Sequence, residues 1–323
     1  SRPTLATLKR RVDCRSRVKG ASMKRLGLWR AGAAISVLAA SAAIAGTGHQ
    51  WGDYRWTTTN TPATLQLNYK FDPSGTNWVP YYQAAIGEWN VGTSDGKPLV
   101  LTAGGQANHT TGAECEPIVG QILVCAANYG GSEGWVGIAE IDVVSGTSRL
   151  AWATAKFNDY YYNPDSHYAR TYNTEPQKEF VACHEIGHTF GLGHLDTSFY
   201  NPNKGSCMDY TANPAGDGRR SKDNRNPGDV DWQVLLSTTM YGTLSSGGGG
   251  GKGGGKPRLD PFQFREVGSP TPSEQGVANG RFGRIVAYDD AGRPVEYVRD
   301  MPNGHKRVTF VTWAKGYRPA DAR

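Results

Sequence analysis

The stretch HEIGHTFGLGH, residues 184–194, decides the fold because it contains three histidines at metal-binding spacing. His184 and His188 are four residues apart, so a helix would place both imidazoles on one face, one turn apart. There they can reach a single zinc ion at about 2.0–2.1 Å. Gly191 is suited to the left-handed conformation that ends many helices. Beyond that turn, His194 can supply a third ligand from outside the helix.

Three protein ligands with a fourth position left open are typical of a catalytic zinc site and not of a structural one. Glu185 follows the first histidine directly and can lean toward the open position, where its carboxylate would take a proton from water. The alternative is an exposed helix with coincidental histidines, because a bare H-E-x-x-H also occurs by chance. The complete pattern H-E-x-x-H-x-x-G-x-x-H favours the metal site.

The segment that contains this motif begins like a helix. Thr174, Pro176 and Gln177 match a capping box with proline in the first turn. We therefore predict a helix over residues 175–190 that stops at Gly191.

Upstream of the motif, hydrophobic periodicity predicts one helix and several strands. The helix is expected at residues 79–90, and the strands at 64–71, 98–103, 122–127, 134–143 and 149–158. The turn residues Ser145, Gly146 and Thr147 separate the last two strands, so we expect these strands to pair antiparallel.

Downstream, a loop rich in Asn, Asp, Gly and Pro leads to a predicted helix at residues 228–241. The composition of residues 245–257 is typical of a flexible glycine-rich linker. Three strands are predicted beyond it, at residues 284–288, 294–300 and 306–314. Three short strands form a marginal core alone, so this small β-rich appendage has reason to dock on the main domain.

The N-terminal residues have the composition of an export signal. Residues 1–45 contain ten basic residues and one acidic residue, and from Met23 a positive start precedes an alanine-rich apolar run. Ala43-Ile44-Ala45 fits the small-x-small cleavage pattern. A membrane anchor is the alternative, but the run is short compared with the about 20 residues of a membrane span. We therefore expect a secreted protein that begins near Gly46 and has no membrane insertion after cleavage.

These patterns divide the chain into five segments. We predict an upstream segment, a signal peptide, a catalytic domain, a linker and a β-rich appendage at residues 1–22, 23–45, 46–244, 245–257 and 258–323. The chain has a net charge of +6, but residues 46–244 contain 12 basic and 20 acidic residues. This acidic balance argues against a nucleic-acid partner.

Export makes disulfides permissible. The chain beyond residue 45 has four cysteines, which allow three pairings. Cys115 and Cys125 are favoured as one pair because they are close in sequence.

The extended histidine motif resembles the zinc-binding signature of the metzincin clan of metallopeptidases. Members of this clan have a methionine turn downstream of the motif, and residues 206–210, SCMDY, fit it. The stretches GWVGIAEI and GSCMDYT are similar to a group of secreted bacterial metzincins close to the matrixins. The resemblance covers residues 64–241 and is only topological outside the two motifs. It implies an α+β fold whose sheet has a mostly antiparallel edge, with an active-site helix, a Met-turn and a C-terminal helix.

The resemblance also implies roles for residues near the turn. If Met208 lies beneath the metal, Cys183 and Cys207 become neighbours and can form a disulfide; two buried free thiols are the alternative. Tyr210 is at the position of a tyrosine that approaches the zinc in astacin- and serralysin-like metzincins, where it stabilises the oxyanion. Typical matrixins have proline there, so a tyrosine that merely packs in the turn is the alternative. Asp196 is expected to support the site or form an ion pair.

Two features depart from the matrixin pattern. Residues 46–63 contain no cysteine, so we expect no latency through a cysteine bound to zinc. The remaining histidines lack the spacing of a second, structural zinc site; beyond residue 45 they are His49, His109, His167 and His305. We therefore predict one zinc ion, and the Asp- and Asn-rich loops leave a structural calcium ion open.

The resemblance implies a monomeric zinc endopeptidase that acts on protein or peptide substrates. Its zinc ligands would be His184, His188 and His194, and Glu185 would be the general base. An extended substrate would add to an edge strand, which we assign to residues 134–143. Two alternatives are a zinc amidase that acts on cell-wall peptides and a non-catalytic binding module stabilised by zinc. The glutamate argues against the second, because a structural site needs no base.

Overall fold

A computed structural model describes residues 49–58, 60, 62–237, 239–242, 279–320 and 322. The predicted upstream segment, signal peptide and glycine-rich linker lie outside these residues. All the described residues belong to one unit that spans Gly46–Arg323. None of the helices in this part of the chain is long and apolar enough to cross a bilayer.

The protein has an α+β fold built on one mixed sheet. Its strands are β1 (Ala63–Phe71), β2 (Leu99–Gln106), β3 (Ile122–Ala127), β4 (Trp135–Val143), β5 (Leu150–Asn158), β6 (Asn279–Gly280), β7 (Gly283–Tyr288), β8 (Pro294–Asp300) and β9 (Lys306–Trp313). Its helices are α1 (Val79–Trp89), α2 (Asp159–Tyr162), α3 (Ala169–Tyr172), α4 (Glu175–His188) and α5 (Asp229–Leu235).

The strand order is β2-β1-β3-β5-β4-β9-β8-β7-β6. The first four strands in this order run parallel to one another, and every pairing from β5–β4 onward is antiparallel. All six residues of β3 are buried, as expected for a parallel strand covered on both faces. Side chains of α1, α4 and the central strands share one apolar core, which includes Leu67, Trp89 and Ile186.

The predicted strands and helices are present, with most boundaries shifted by a few residues. The last predicted helix is shorter than expected and ends at Leu235. The short helices α2 and α3 escaped prediction because four residues are too few to show a helical period.

The predicted capping box at α4 is wrong. Thr174 occupies the N-cap position, but its side chain makes no capping hydrogen bond. Gln177 donates instead to the carbonyl oxygen of Ala212, 3.4 Å away. The side chain of Gln177 therefore makes a tertiary contact, whereas the local motif predicts that it caps the start of the helix.

The assignment of residues 134–143 as a free edge strand is also wrong. The segment forms β4, which lies between β5 and β9. The pairing with β9 is antiparallel and extends from Trp135 opposite Trp313 to Val143 opposite Lys306. The C-terminal strands therefore extend the main sheet, because β4 offers a second row of backbone hydrogen-bonding groups on the side away from β5.

Gly191 turns the chain after α4 and brings it close to the N-terminal segment. Its φ is +104°, and its N–H donates to the carbonyl oxygen of His188 at 3.1 Å. A Cβ at this position would overlap the carbonyl oxygen of Tyr54. The predicted helix stop is thus present, and the close approach of two backbones adds a second reason for glycine.

We expect Gly191→Ala to lower the free energy of unfolding by on the order of 3 kcal/mol, because unfavourable φ and steric overlap act together. The control is Gly146→Ala, since Gly146 also has positive φ, +65°, but a Cβ added there would meet no atom within 4 Å. That control should lose only about 1–2 kcal/mol. Urea unfolding of both variants measures the difference, and equal losses would rule out the contact with Tyr54 as a cause.

Candidate metal centre

Three histidines converge where α4 meets the sheet. His184, His188 and His194 each offer a ring nitrogen, and the three nitrogens lie within 4.8 Å of one another. The first two are fully buried, and the side chain of His194 is 1% exposed. Among the described residues, this is the only group of three or more His, Cys, Asp or Glu side chains that could hold a metal ion.

Two of these rings are fixed by hydrogen bonds at their outer nitrogens. Nδ1 of His184 lies 2.6 Å from the carbonyl oxygen of Cys207, and Nδ1 of His188 lies 2.7 Å from that of Leu192. A carbonyl oxygen only accepts, so each Nδ1 carries the proton and donates it. Each Nε2 is then left with its lone pair, which is the form that binds a metal.

The spacing of the inner nitrogens fits one tetrahedral ion. Nε2 of His184 and Nε2 of His188 are 3.1 Å apart. Two nitrogens at about 2.0–2.1 Å from a tetrahedral zinc ion would be separated by about 3.4 Å. Two lone pairs that face each other in a buried site need a cation or a proton between them, and a metal ion meets that need.

The third ring has a carboxylate beside its outer nitrogen. Oε1 of Glu296 lies 3.2 Å from Nδ1 of His194, an ion-pair distance without hydrogen-bond geometry. The other oxygen of Glu296 accepts a hydrogen bond from Nε1 of Trp51 at 2.5 Å. Carboxylates commonly orient metal-binding histidines by accepting a hydrogen bond from the outer nitrogen, and Glu296 is adjacent to that nitrogen. Here the carboxylate comes from β8, so the C-terminal strands contact the candidate metal site.

Burial favours the neutral form of His184 and His188. Loss of solvent lowers the pKa of His184 to about 3, and the neighbouring His194 acts in the same direction. The pKa of His188 is lowered well below its ordinary value, mainly by burial and also by the other two rings. Neutral imidazole is the metal-binding form, so protons compete weakly with a metal at these two nitrogens.

Glu185 lies fully buried beside the histidines. Burial raises the pKa of its carboxyl to about 8, and a hydrogen bond from Thr312 acts in the opposite direction. The Thr312 hydroxyl donates to Oε1 at 2.6 Å. A bound dication would also lower this pKa. A Cβ at position 137 of β4 would lie 2.3 Å from Oε1 of Glu185, so any larger residue there would displace the carboxyl.

The predicted methionine turn packs directly under α4. Met208 is fully buried, and a Cβ on Gly187 would overlap its sulfur atom. The carbonyl oxygen of Met208 accepts a hydrogen bond from the N–H of Leu195 at 2.8 Å. The turn is therefore tied both to the helix that holds the first two histidines and to the segment that holds the third.

Both predicted disulfides are present. Cys183 and Cys207 are joined with an S–S distance of 1.99 Å, which links α4 to the methionine turn. Cys115 and Cys125 are joined with an S–S distance of 2.02 Å and belong to a separate small apolar cluster.

Asp231, in the first turn of α5, supports the methionine turn. Its carboxylate accepts a hydrogen bond from the hydroxyl of Ser206 at 2.8 Å, and that hydroxyl accepts one from the N–H of Met208 at 2.9 Å. Nε2 of His49 lies 2.7 Å from the same carboxylate. Asp231 was not among the predicted site residues, because the only local signal for it is an acidic residue at the start of a predicted helix.

Tyr210 is buried against the histidines. Its ring centroid is 4.7 Å from that of His194, and its hydroxyl donates to the carbonyl oxygen of Val311 in β9. Asp196 forms an ion pair with Lys204 and accepts a hydrogen bond from the N–H of Ser198 at 2.7 Å.

Strand β9 covers the centre, and sequence reasoning missed its contribution. The ring of Phe310 stacks on that of His188, with the centroids 4.1 Å apart and the planes 3° from parallel. Thr312 contacts Glu185, as described above. Both residues are more than 100 positions from the histidine motif, and no local pattern connects them to it.

Comparison of the chain with protein-family models and with curated proteins found no match.

We expect the protein to bind one zinc ion per chain and His188→Ala to bind none with measurable affinity. The reason is that His188 contributes one of the three nitrogens that converge in the described part of the chain. His109→Ala is the matched control, because His109 is exposed and contacts only the Glu116 carbonyl oxygen among the described hydrogen bonds. Equilibrium dialysis with metal analysis gives the stoichiometry. Retention of a full zinc equivalent by His188→Ala would contradict the assignment.

Removing either disulfide should cost about 3 kcal/mol of stability, since the enclosed loops of 24 and 10 residues differ little in closure entropy. Only one removal should weaken zinc binding. We expect a loss of about 10- to 100-fold for Cys183→Ala/Cys207→Ala, because the carbonyl of residue 207 orients His184. Cys115→Ala/Cys125→Ala should bind zinc unchanged. Competition with a chromogenic chelator measures both, and equal affinities would contradict the role given to the first disulfide.

Proposed function

We propose that this protein is a secreted zinc endopeptidase of the metzincin type. One observation carries the proposal: three buried histidines converge beside the buried carboxyl of Glu185. A structural zinc site has no use for a fourth polar group of this kind, whereas a hydrolytic site needs a base within reach of its water.

Zinc is the metal that these residues favour. Three converging imidazoles, two of them held by hydrogen bonds at their outer nitrogens, suit a tetrahedral ion with one open position. Calcium and magnesium prefer oxygen ligands, and the converging atoms here are nitrogens. A bound zinc ion supplies Lewis-acid polarisation and makes water more acidic.

Glu185 would handle the proton in the reaction. Its carboxylate would take a proton from the attacking water and return it to the amine of the departing peptide. Gly137 leaves room for the carboxylate on the sheet side, and the helix backbone fixes it next to His184. Tyr210, next to His194, would donate its hydroxyl hydrogen bond to the oxyanion of the scissile carbonyl.

Secretion is part of the proposal. Two disulfides join cysteines in the described chain, and disulfides persist mainly in exported proteins. The signal-like composition of residues 23–45 points in the same direction.

We expect Glu185→Gln to lower casein hydrolysis by about 100- to 10,000-fold while still binding one zinc ion, because it removes the base and no ligand. Glu179→Gln is the matched control on the same helix: its side chain is about a third exposed and pairs with Arg225, so hydrolysis should persist. Both variants are assayed as zinc-loaded residues 46–323, with and without a zinc chelator. Each is assayed intact and again after proteolytic cleavage at a site inserted in residues 245–256, which separates the C-terminal strands from the rest of the chain.

The Glu179→Gln control, which retains Glu185, decides whether the endopeptidase function is correct. If neither its intact nor its cleaved form hydrolyses peptide bonds while zinc is bound, the endopeptidase function is wrong. The same samples are then tested on cell-wall amides, the substrate of the alternative amidase.

A further inference from the structure

The C-terminal strands contact four of the groups that the proposed function uses, namely His188, His194, Glu185 and Tyr210. Three consecutive residues of β9 account for most of these contacts. Phe310 stacks on His188, the carbonyl oxygen of Val311 accepts from Tyr210, and the hydroxyl of Thr312 donates to Glu185. In β8, Glu296 lies 3.2 Å from Nδ1 of His194.

These contacts close the site. His184, Glu185 and His188 have no solvent-exposed surface. A peptide substrate of any length needs access to the metal and the base, and in this arrangement β9 lies where the substrate would have to enter. The described state therefore cannot hydrolyse a peptide until β9 moves.

Strand β9 also pairs with the backbone of β4, as a substrate peptide added to the sheet edge would. The two strands pair antiparallel over the whole of β4, with Gly137 opposite Thr312 and Ala139 opposite Phe310. Adding a strand to an exposed sheet edge is a general mode of peptide recognition. With β9 in place, β4 has no free edge to offer.

We propose that the C-terminal strand segment, residues 294–313, is an intramolecular inhibitor that occupies the substrate's place along β4 and covers the catalytic groups. This inference rests on the proposed function and adds its regulation. Its release would expose the edge of β4, the Nε2 atoms of the histidines, Oε1 of Glu185 and the hydroxyl of Tyr210 together.

The individual contacts resemble those of a bound peptide more than those of a supporting strand. The Val311 carbonyl accepts the hydrogen bond that Tyr210 would give to a substrate carbonyl. Thr312 engages one oxygen, Oε1, of the Glu185 carboxyl that would take a proton from water. A strand that only supported the site would contact the segments that hold the catalytic groups and not the groups themselves. Asp231 does this, because it contacts the methionine turn through Ser206.

Cleavage within the glycine-rich segment between the two parts of the chain gives the test. A recognition sequence for a site-specific protease is inserted between Gly250 and Gly251 of the zinc-loaded 46–323 chain, which is cleaved and diluted to about 10 nM. A tethered segment has an effective concentration on the order of millimolar, so cleavage and dilution should release it. We expect zinc loss to excess chelator and casein hydrolysis each to become at least about tenfold faster.

Two matched variants separate the possible causes. In Glu185→Gln, zinc loss should accelerate to the same extent without hydrolysis, so the cover is measured independently of activity. In Glu140→Cys/Thr309→Cys, a disulfide would lock β4 to β9, because the two residues are directly opposite. Glu140 and Thr309 are the strand neighbours of Ala139 and Phe310, and Phe310 faces α4. Successive side chains of a strand point to opposite faces of the sheet, so Glu140 and Thr309 lie on the face away from α4. The locked chain should stay slow in both measurements after cleavage.

The outcomes are distinct. A cleaved chain that loses zinc at the rate of the intact chain, whether or not the segment leaves, overturns the proposal and makes β8 and β9 permanent strands of the sheet. If cleavage accelerates zinc loss but the parent chain still hydrolyses nothing, the result supports the proposal that the C-terminal strands cover the site. That result contradicts the endopeptidase function instead.

Discussion

The burial of three imidazoles and a carboxyl at one point is the constraint on which the rest of this structure depends. Buried polar groups are costly unless they find partners, and here two of the rings and the carboxyl have specific hydrogen-bond partners. Backbone carbonyls of Cys207 and Leu192 accept from two of the rings, and Thr312 donates to Glu185. These partners leave the inner ring nitrogens with only each other, which is an arrangement that a metal ion completes.

Distant parts of the chain supply these partners. The methionine turn reaches His184 through the Cys207 carbonyl, and the Cys183–Cys207 disulfide holds that turn against α4. Asp231 holds the turn from the other side through Ser206. Gly137 leaves room where β4 packs against Glu185 of α4, and Gly187 leaves room where α4 packs against Met208 of the turn. Precise placement of the histidines therefore comes from tertiary contacts, although the spacing of His184 and His188 comes from one helix.

The sequence allowed good prediction wherever the determinants are local. Alternation located β1, a continuous apolar run located β3 and helical periodicity located α1. The four-residue spacing placed His184 and His188 on one helix face. Pairing between distant strands left no such trace, so β4 was assigned to an edge although it lies next to β9. The contacts of Phe310, Thr312 and Glu296 with the site were missed for the same reason. The capping box failed because Gln177 has a tertiary partner.

An exposed β4 would be a liability, since an unpaired strand edge invites association with other chains. Strand β9 removes that liability and closes the site with the same set of backbone hydrogen bonds. A substrate strand would form an equivalent ladder, so backbone pairing alone favours neither occupant. The balance then depends on side chains: Phe310 on His188, Thr312 on Glu185, and the buried contacts of Val308 and Phe310 in the core. Tethering adds to this balance in favour of β9, and separation of the segment from the chain removes that advantage without changing a single contact.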